Sequence, residues 1–197
     1  MVLCLLQVIL VRVGENVSTE IGEKRVQLII LIFQSIKKVS QNGLIAYGGL
    51  CQGLQARVNV KDFGQYILYA LKGDDEDCAR VACGIISDIA TAFNENVQIY
   101  LTSFVPPLLQ MLSADDRDRN TKLQALLSLG DLAINAPKSY CEIYLADTIK
   151  ILHQAGEVSL NKTAFKDDQD VLDYLGELQS NILNCYSTII SGAKDAG

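Results

Sequence analysis

Apolar residues recur at helical spacing along almost the whole chain, and no stretch alternates strictly between apolar and polar, so the sequence predicts helices throughout and no strand. The run Val171, Leu175, Leu178, Ile182, Cys185 and Ile189 advances by alternating steps of four and three and marks one long amphipathic helix. Tyr47, Leu50, Leu54 and Val58 mark an earlier one, as do Ala79, Cys83, Ile86, Ala90 and Phe93, and then Leu123, Leu126, Leu127, Gly130 and Ile134. Each is followed at once by a second periodic run, anchored at Phe63, Val97 and Cys141 in turn. The breaks carry turn chemistry, as in Gln41-Asn42-Gly43, Lys72-Gly73-Asp74-Asp75 and Ala136-Pro137. Asn94 and Ser139 are placed to cap the helices that follow them.

The short breaks pair the helices into hairpins, and the hairpins repeat. The strings GLCQGLQARV, GIISDIATAF and SLGDLAINA stack so that Gly53, Asp88 and Asp131 correspond, at steps of 35 and 43 residues. A helix pair every 35 to 45 residues is the signature of a HEAT or armadillo-type solenoid, so the expected fold class is an all-α, right-handed HEAT solenoid of about four and a half hairpins. The whole chain, residues 1–197, reads as one such unit, with hairpins at roughly 1–38, 39–73, 74–113 and 117–155 and a final long helix at 169–193. The polar stretch 156–168 supplies the surplus in the last step and reads as an inserted loop. Pro106-Pro107 falls inside a second helix, where it is expected to kink or interrupt it.

Composition removes several function classes. The 17 basic residues against 23 acidic ones, a formal charge of -6, disfavour a surface that tracks phosphates. A single histidine, His153, leaves no site built on two imidazoles; near a helix end it reads as a dipole contact. The six cysteines fall mostly within apolar helical patterns without a CxxC pair, and Cys78 and Cys83, five apart, do not share a helix face, so they read as reduced core residues of an intracellular protein. The apolar run Val2 to Val11 lacks the flank and cleavage site of a signal peptide and is too short to span a bilayer, so it reads as a buried helix of a chain cut from a longer one. No metal, cofactor or catalytic constellation is expected: 23 scattered acids without a partnering group do not make an active site.

Particular strings go further than the repeat. Asp170 to Gly192 reads DVLDYLGELQSNILNCYSTIISG, and its D-Y-L-x-E-L core followed by a tyrosine and a glycine-rich end resembles the late-repeat helix of the importin beta (karyopherin beta) family. Ser87-Asp88-Ile89-Ala90 and Gly130-Asp131-Leu132-Ala133 are similar to that family's first-helix pattern, G-D-[IL]-[AC], and Leu3 to Gln34 follows the corresponding stretch of its C-terminal half. The resemblance implies a nuclear import receptor fragment that works between cytoplasm and nucleus and at the nuclear pore. It implies importin alpha adaptors or basic cargo segments on an inner surface and phenylalanine-glycine nucleoporins in outer grooves. It implies that Ran GTPase is met mainly through an N-terminal half that this chain lacks. The family's inner-face tryptophans are also missing, since the chain has no Trp.

Two sets of residues carry these expectations. Acidic residues on second helices and in loops would steer and hold a basic segment: Glu20, Glu23, Asp62, Glu142 and Asp147, with the run Asp74, Asp75, Glu76 and Asp77. The plainer alternative for such runs is solvated loop. Apolar residues of first helices would border the outer grooves: Ile45, Leu50, Ile85, Ile86, Leu126 and Leu129. The plainer alternative for these is packing between repeats, where solenoid stability originates. Asp88 and Asp131, at equivalent positions in apolar surroundings, are expected to bond a turn or a neighbouring repeat rather than a ligand. Against the import reading stands a structural HEAT scaffold that holds protein partners together without a transport role.

Overall fold

The computed structural model describes residues 19–36, 38–58, 60–160 and 168–195, and every regular element among them is helical. The α-helices are α1 (Thr19–Ile36), α2 (Gln41–Leu54), α3 (Val60–Lys72), α4 (Glu76–Phe93), α5 (Leu101–Ser113), α6 (Arg119–Asn135), α7 (Pro137–Leu160) and α8 (Gln169–Asp195). Two 3-10 stretches, Gln55–Arg57 and Asn94–Tyr100, follow α2 and α4. The segment Val2 to Val11 lies outside the described residues. Contacts divide the chain into two compact units, Met1–Asn94 and Glu95–Gly197, and the division falls inside the hairpin expected at 74–113.

In the first unit α2 is the central element, packed against α1 and α4. Its sequence explains that position: four glycines and few bulky side chains let neighbours approach, and ten of its fourteen residues are buried. Tyr47 of α2 stacks on Phe63 of α3 with ring centroids 3.6 Å apart, and Phe33 of α1 lies 5.8 Å from Phe63. Tyr47 and Phe63 are both wholly buried, and each such side chain contributes about 2 kcal/mol of hydrophobic stabilisation. Ser40 caps α2 by accepting from the Gly43 N–H, and Asp75 caps α4 by accepting from the Cys78 N–H.

In the second unit α6 packs on α5, α7 and α8. Asp118 accepts from the N–H groups of both Asn120 and Thr121, which fixes where α6 starts. α8 buries the row Val171, Leu175, Leu178, Ile182, Cys185 and Ile189, the stripe that the periodicity marks. It runs parallel to α6: a Cβ on Gly130 would meet Thr188, and one on Gly192 would meet Ile134, both 58 residues apart. Tyr140 and Thr148 of α7 are fully buried and hydrogen-bonded to each other at 2.9 Å.

Several sequence expectations need correction. Residues 156–160, expected in a loop, belong to α7, which continues to Leu160; the rest of that stretch, 161–167, lies outside the described residues. Within that last turn Ser159 is buried and donates to the Gly156 carbonyl, while Glu157 faces solvent, so the turn is satisfied as helix despite its polar spelling. Pro106 and Pro107 do not divide α5, which continues to Ser113. The carbonyls that they deprive of a donor belong to Thr102 and Ser103, both exposed, where water can serve. Asn94 ends α4 instead of capping its successor, and Ser139 sits in the first turn of α7 behind Pro137, the first-position residue that needs no N–H partner. His153 lies seven residues before the end of α7 and faces Glu157 at 3.6 Å.

The repeat register also shifts. α2 and α4 both end in a residue at positive φ, Gln55 at 50° and Asn94 at 48°, 39 residues apart, and α6 ends at Ala136. Counted from those caps, Asp88 corresponds to Gly49, one helical turn before Gly53. A slip of four residues keeps the same helix face inward, so apolar pattern alone does not distinguish the two registers.

Candidate partner-binding surfaces

The acidic candidates divide by what they already hold. Glu20 is exposed on α1 and pairs with Lys24 at 2.6 Å, with Glu23 exposed one turn on. In the run before α4 only Asp74 is exposed without a helix-building bond that the structure defines. Asp75 is the cap of α4, and the Cys78 N–H that it accepts, helped by Lys38 at 3.7 Å, holds its carboxyl below the ordinary value. Asp77 binds Arg80 at 2.6 Å, and Glu76 is half-buried. The run is thus chiefly a helix start, with acids favourably placed at the positive end of the dipole. Asp62 stands exposed in the first turn of α3.

Glu142 and Asp147 are exposed on α7. Asp147 lines a cleft of about 380 Å³ between α5 and α7, together with Pro106, Gln110, Ser113, Lys150 and Gln154. This cleft combines one carboxylate, one ammonium and two amides over the apolar floor of Leu109 and Ile151. Such a lining suits an extended or helical peptide, since the amides bond main chain, Asp147 meets a cation and Lys150 an anion. It holds no pair of titratable groups arranged for proton transfer.

The outer-groove candidates fare differently. Leu50, Ile85, Ile86, Leu126 and Leu129 are each 2% exposed or less, so they fill the helix packing and cannot line a groove. Their spacing is that of the core stripe, and pattern does not separate the buried centre of a stripe from its rim. Ile45 alone of the six is partly exposed. It stands three residues before Gly48, where a Cβ would lie 3.4 Å from both Ile85 and Asp88 of α4.

The second unit has the matching arrangement. On α6, Gly130 is the point of closest approach, where a Cβ would lie 2.9 Å from Oγ1 of Thr188. Leu127, three residues before it, is 41% exposed and Ile134, four after it, 45%. Leu127 and Ile134 are exposed apolar residues that sequence reasoning did not set apart from the packed stripe. Their signal was present: each flanks a glycine at helical spacing, and a glycine at a helix contact leaves its neighbours at the rim.

Asp88 makes the inter-helix bond expected of it, accepting from Nε2 of Gln52 at 3.0 Å. Cys78 and Cys83 are buried, and burial pushes the Cys78 thiol up to about 11. No group of three or more metal-ligating side chains occurs among the described residues, and no described helix is long and apolar enough to cross a membrane.

The family model described as importin subunit beta-1-like, TPR repeats, matches residues 1–197. The chain belongs to the importin beta-1-like family. Importin subunit beta-1 of Schizosaccharomyces pombe is 27% identical over 189 residues, covering 93% of this chain and 21% of that protein. Importin subunit beta-1 of Arabidopsis thaliana is 23% identical over 199 residues, covering 97% of this chain and 22% of that protein. The chain therefore spans about one fifth of the length of these importin beta relatives. A chain from a solved structure concerning Kap95p binding to RanGDP superposes with a TM-score of 0.73 at 21% identity, covering 96% of this chain and 22% of that one. The fold class is accordingly the all-α HEAT-type solenoid of the karyopherins. The 39-residue spacing of the caps at Gln55 and Asn94 agrees with HEAT hairpins and exceeds the 34 residues of a TPR unit.

Proposed function

We propose that this segment serves a nuclear import receptor as a binding surface for basic adaptor or cargo segments, without catalysis of its own. The observation that carries this reading is the α5–α7 cleft, with exposed Asp147 on its wall and exposed Glu142 on the same helix, in an importin beta family chain of net charge -6. A basic segment, as on an importin alpha adaptor, gains long-range attraction from the net charge and close contacts from Asp147 and the cleft amides. Asp62, Asp74, Glu20 and Glu23 add exposed negative charge in the first unit. Ile45 on α2, and Leu127 with Ile134 on α6, are the apolar rims at which phenylalanine-glycine nucleoporins would dock, weakly at each and more firmly together. Ran contact is assigned to parts of a full-length receptor outside this segment. The place of action is between cytoplasm and nucleus and at the pore.

The test is calorimetric titration with an arginine- and lysine-rich adaptor peptide at low and physiological salt. Binding that weakens with salt and falls several-fold in Glu142→Lys/Asp147→Lys supports the reading. Absence of binding even at low salt overturns it and leaves a structural scaffold, held by its ends between protein partners, as the better account.

A further inference from the structure

Three serines in the sequence stand three residues before an acid: Ser113 before Asp116, Ser128 before Asp131 and Ser139 before Glu142. The structure separates them. Ser128 is wholly buried in α6 and donates to the Gln124 carbonyl. Ser139 is half-buried in the first turn of α7, donates to Oε1 of Gln98, and is followed by Tyr140, which is buried. Ser113 is exposed, is the last residue of α5, and has exposed aspartates both two and three residues on, at Asp115 and Asp116. The backbone already turns extended after it, with Ala114 at φ -80 and ψ 133. Freeing its hydroxyl for a kinase costs one bond, from Oγ to the Leu109 carbonyl at 3.0 Å. Ser113 also stands on the rim of the α5–α7 cleft, which Lys150 and Asp147 line from the other side.

We propose that Ser113 is a phosphorylation site for an acidophilic serine kinase and that its phosphate sets the charge of the α5–α7 cleft. In the reaction Ser113 Oγ attacks the γ-phosphorus of ATP; the O–P bond forms as the bond to the β–γ bridging oxygen breaks, ADP leaves, and the hydroxyl proton passes to the kinase base. The product carries close to two negative charges at a helix C-terminus, where the dipole opposes them, so the last turn of α5 loosens. Across the cleft Lys150 supplies the one nearby cation among the lining residues, and the balance of Asp147 and Lys150 gives way to net negative charge. The consequence for peptide affinity rests on the function proposed above; the modification itself does not.

The experiment incubates the full chain with casein kinase 2 and ATP and locates the added phosphoryl group by mass spectrometry. One group on Ser113, lost in Ser113→Ala and slowed about tenfold in Asp116→Ala, is the expected result, because each carboxylate that the kinase reads is a charge-assisted contact. No incorporation, or incorporation at another residue at a comparable rate, overturns the site. The phosphorylated chain should then bind the basic peptide about fivefold more tightly at low salt than the unmodified chain. Equal affinity overturns the charge-setting role. Failure of both forms to bind overturns the function proposed for the cleft, and with it that role, while the kinase result stands by itself.

Discussion

Nε2 of Gln52 donates to a carboxylate oxygen of Asp88 across 3.0 Å, joining α2 to α4 where Gly48 lets the two helices meet. The bond ties two packed helices at a partly exposed position, so it acts as a register pin rather than a major source of stability. Asp88→Ala should lower unfolding stability by about 1 kcal/mol, and Asp88→Asn by less, because the amide oxygen still accepts. Urea denaturation of the two variants checks this, and equal losses would contradict it.

Tyr140 and Thr148 present a larger stake. Both are fully buried, and each hydroxyl has the other as partner at 2.9 Å, so removing one leaves the other without it in a dry site. Tyr140→Phe should cost about 2 kcal/mol, and the double variant Tyr140→Phe/Thr148→Val less than the sum of the single losses. A double-mutant cycle by chemical denaturation measures the difference; strict additivity would mean that the bond is not made.

Glycines of α6 and α8 should respond in opposite directions to the same substitution. A Cβ at Gly130 would press on Thr188 Oγ1 at 2.9 Å, whereas one at Gly176 meets nothing within 4 Å. Gly130→Ala should destabilise by about 1 kcal/mol after the helix-propensity gain is counted, and Thr188→Ala in the same chain should recover part of it. Gly176→Ala should stabilise by about 0.5 to 1 kcal/mol. Thermal unfolding of the three variants gives the signs directly.

Acid should loosen α4 through Asp75. Its folded carboxyl sits below the ordinary 3.8 because it accepts from the Cys78 N–H, with Lys38 assisting. A lowered carboxylate contributes stability that is present above the ordinary value and lost as pH falls through the folded one. Asp75→Asn should keep the cap and flatten this part of the acid limb; Asp75→Ala should lose about 1 kcal/mol at pH 7. Stability curves from pH 2 to 7 for the three proteins test both statements.

The helices were legible because 3.6-residue periodicity reports burial directly, and α8 buries the six residues that its pattern marks. The family was legible in strings such as Asp173-Tyr174-Leu175 and Gly130-Asp131-Leu132-Ala133. What escaped was whatever depends on position within a buried stripe. Leu50 and Ile45 share α2 and similar hydrophobicity, yet one is sealed and the other reaches the rim, a difference fixed by where α4 lies. The acidic run before α4 was readable as charge but not as architecture, since only geometry shows that Asp75 caps and Asp77 pairs. The cleft bordered by Asp147 and Ser113 joins residues 34 apart in sequence, and no local pattern announces it.

Gln55 and Asn94 share no chemistry beyond an amide, yet they end α2 and α4 with nearly the same backbone angles, φ 50 and ψ -135 against φ 48 and ψ -134. Neither is glycine, the residue for which that conformation is free of strain. Held twice despite its cost, by different residues, that corner sends the chain out of α2 and out of α4 by the same path. Letters are the part that drifts. A lineage of such chains can retain its fold while losing most of its spelling, provided the corners stay where they are.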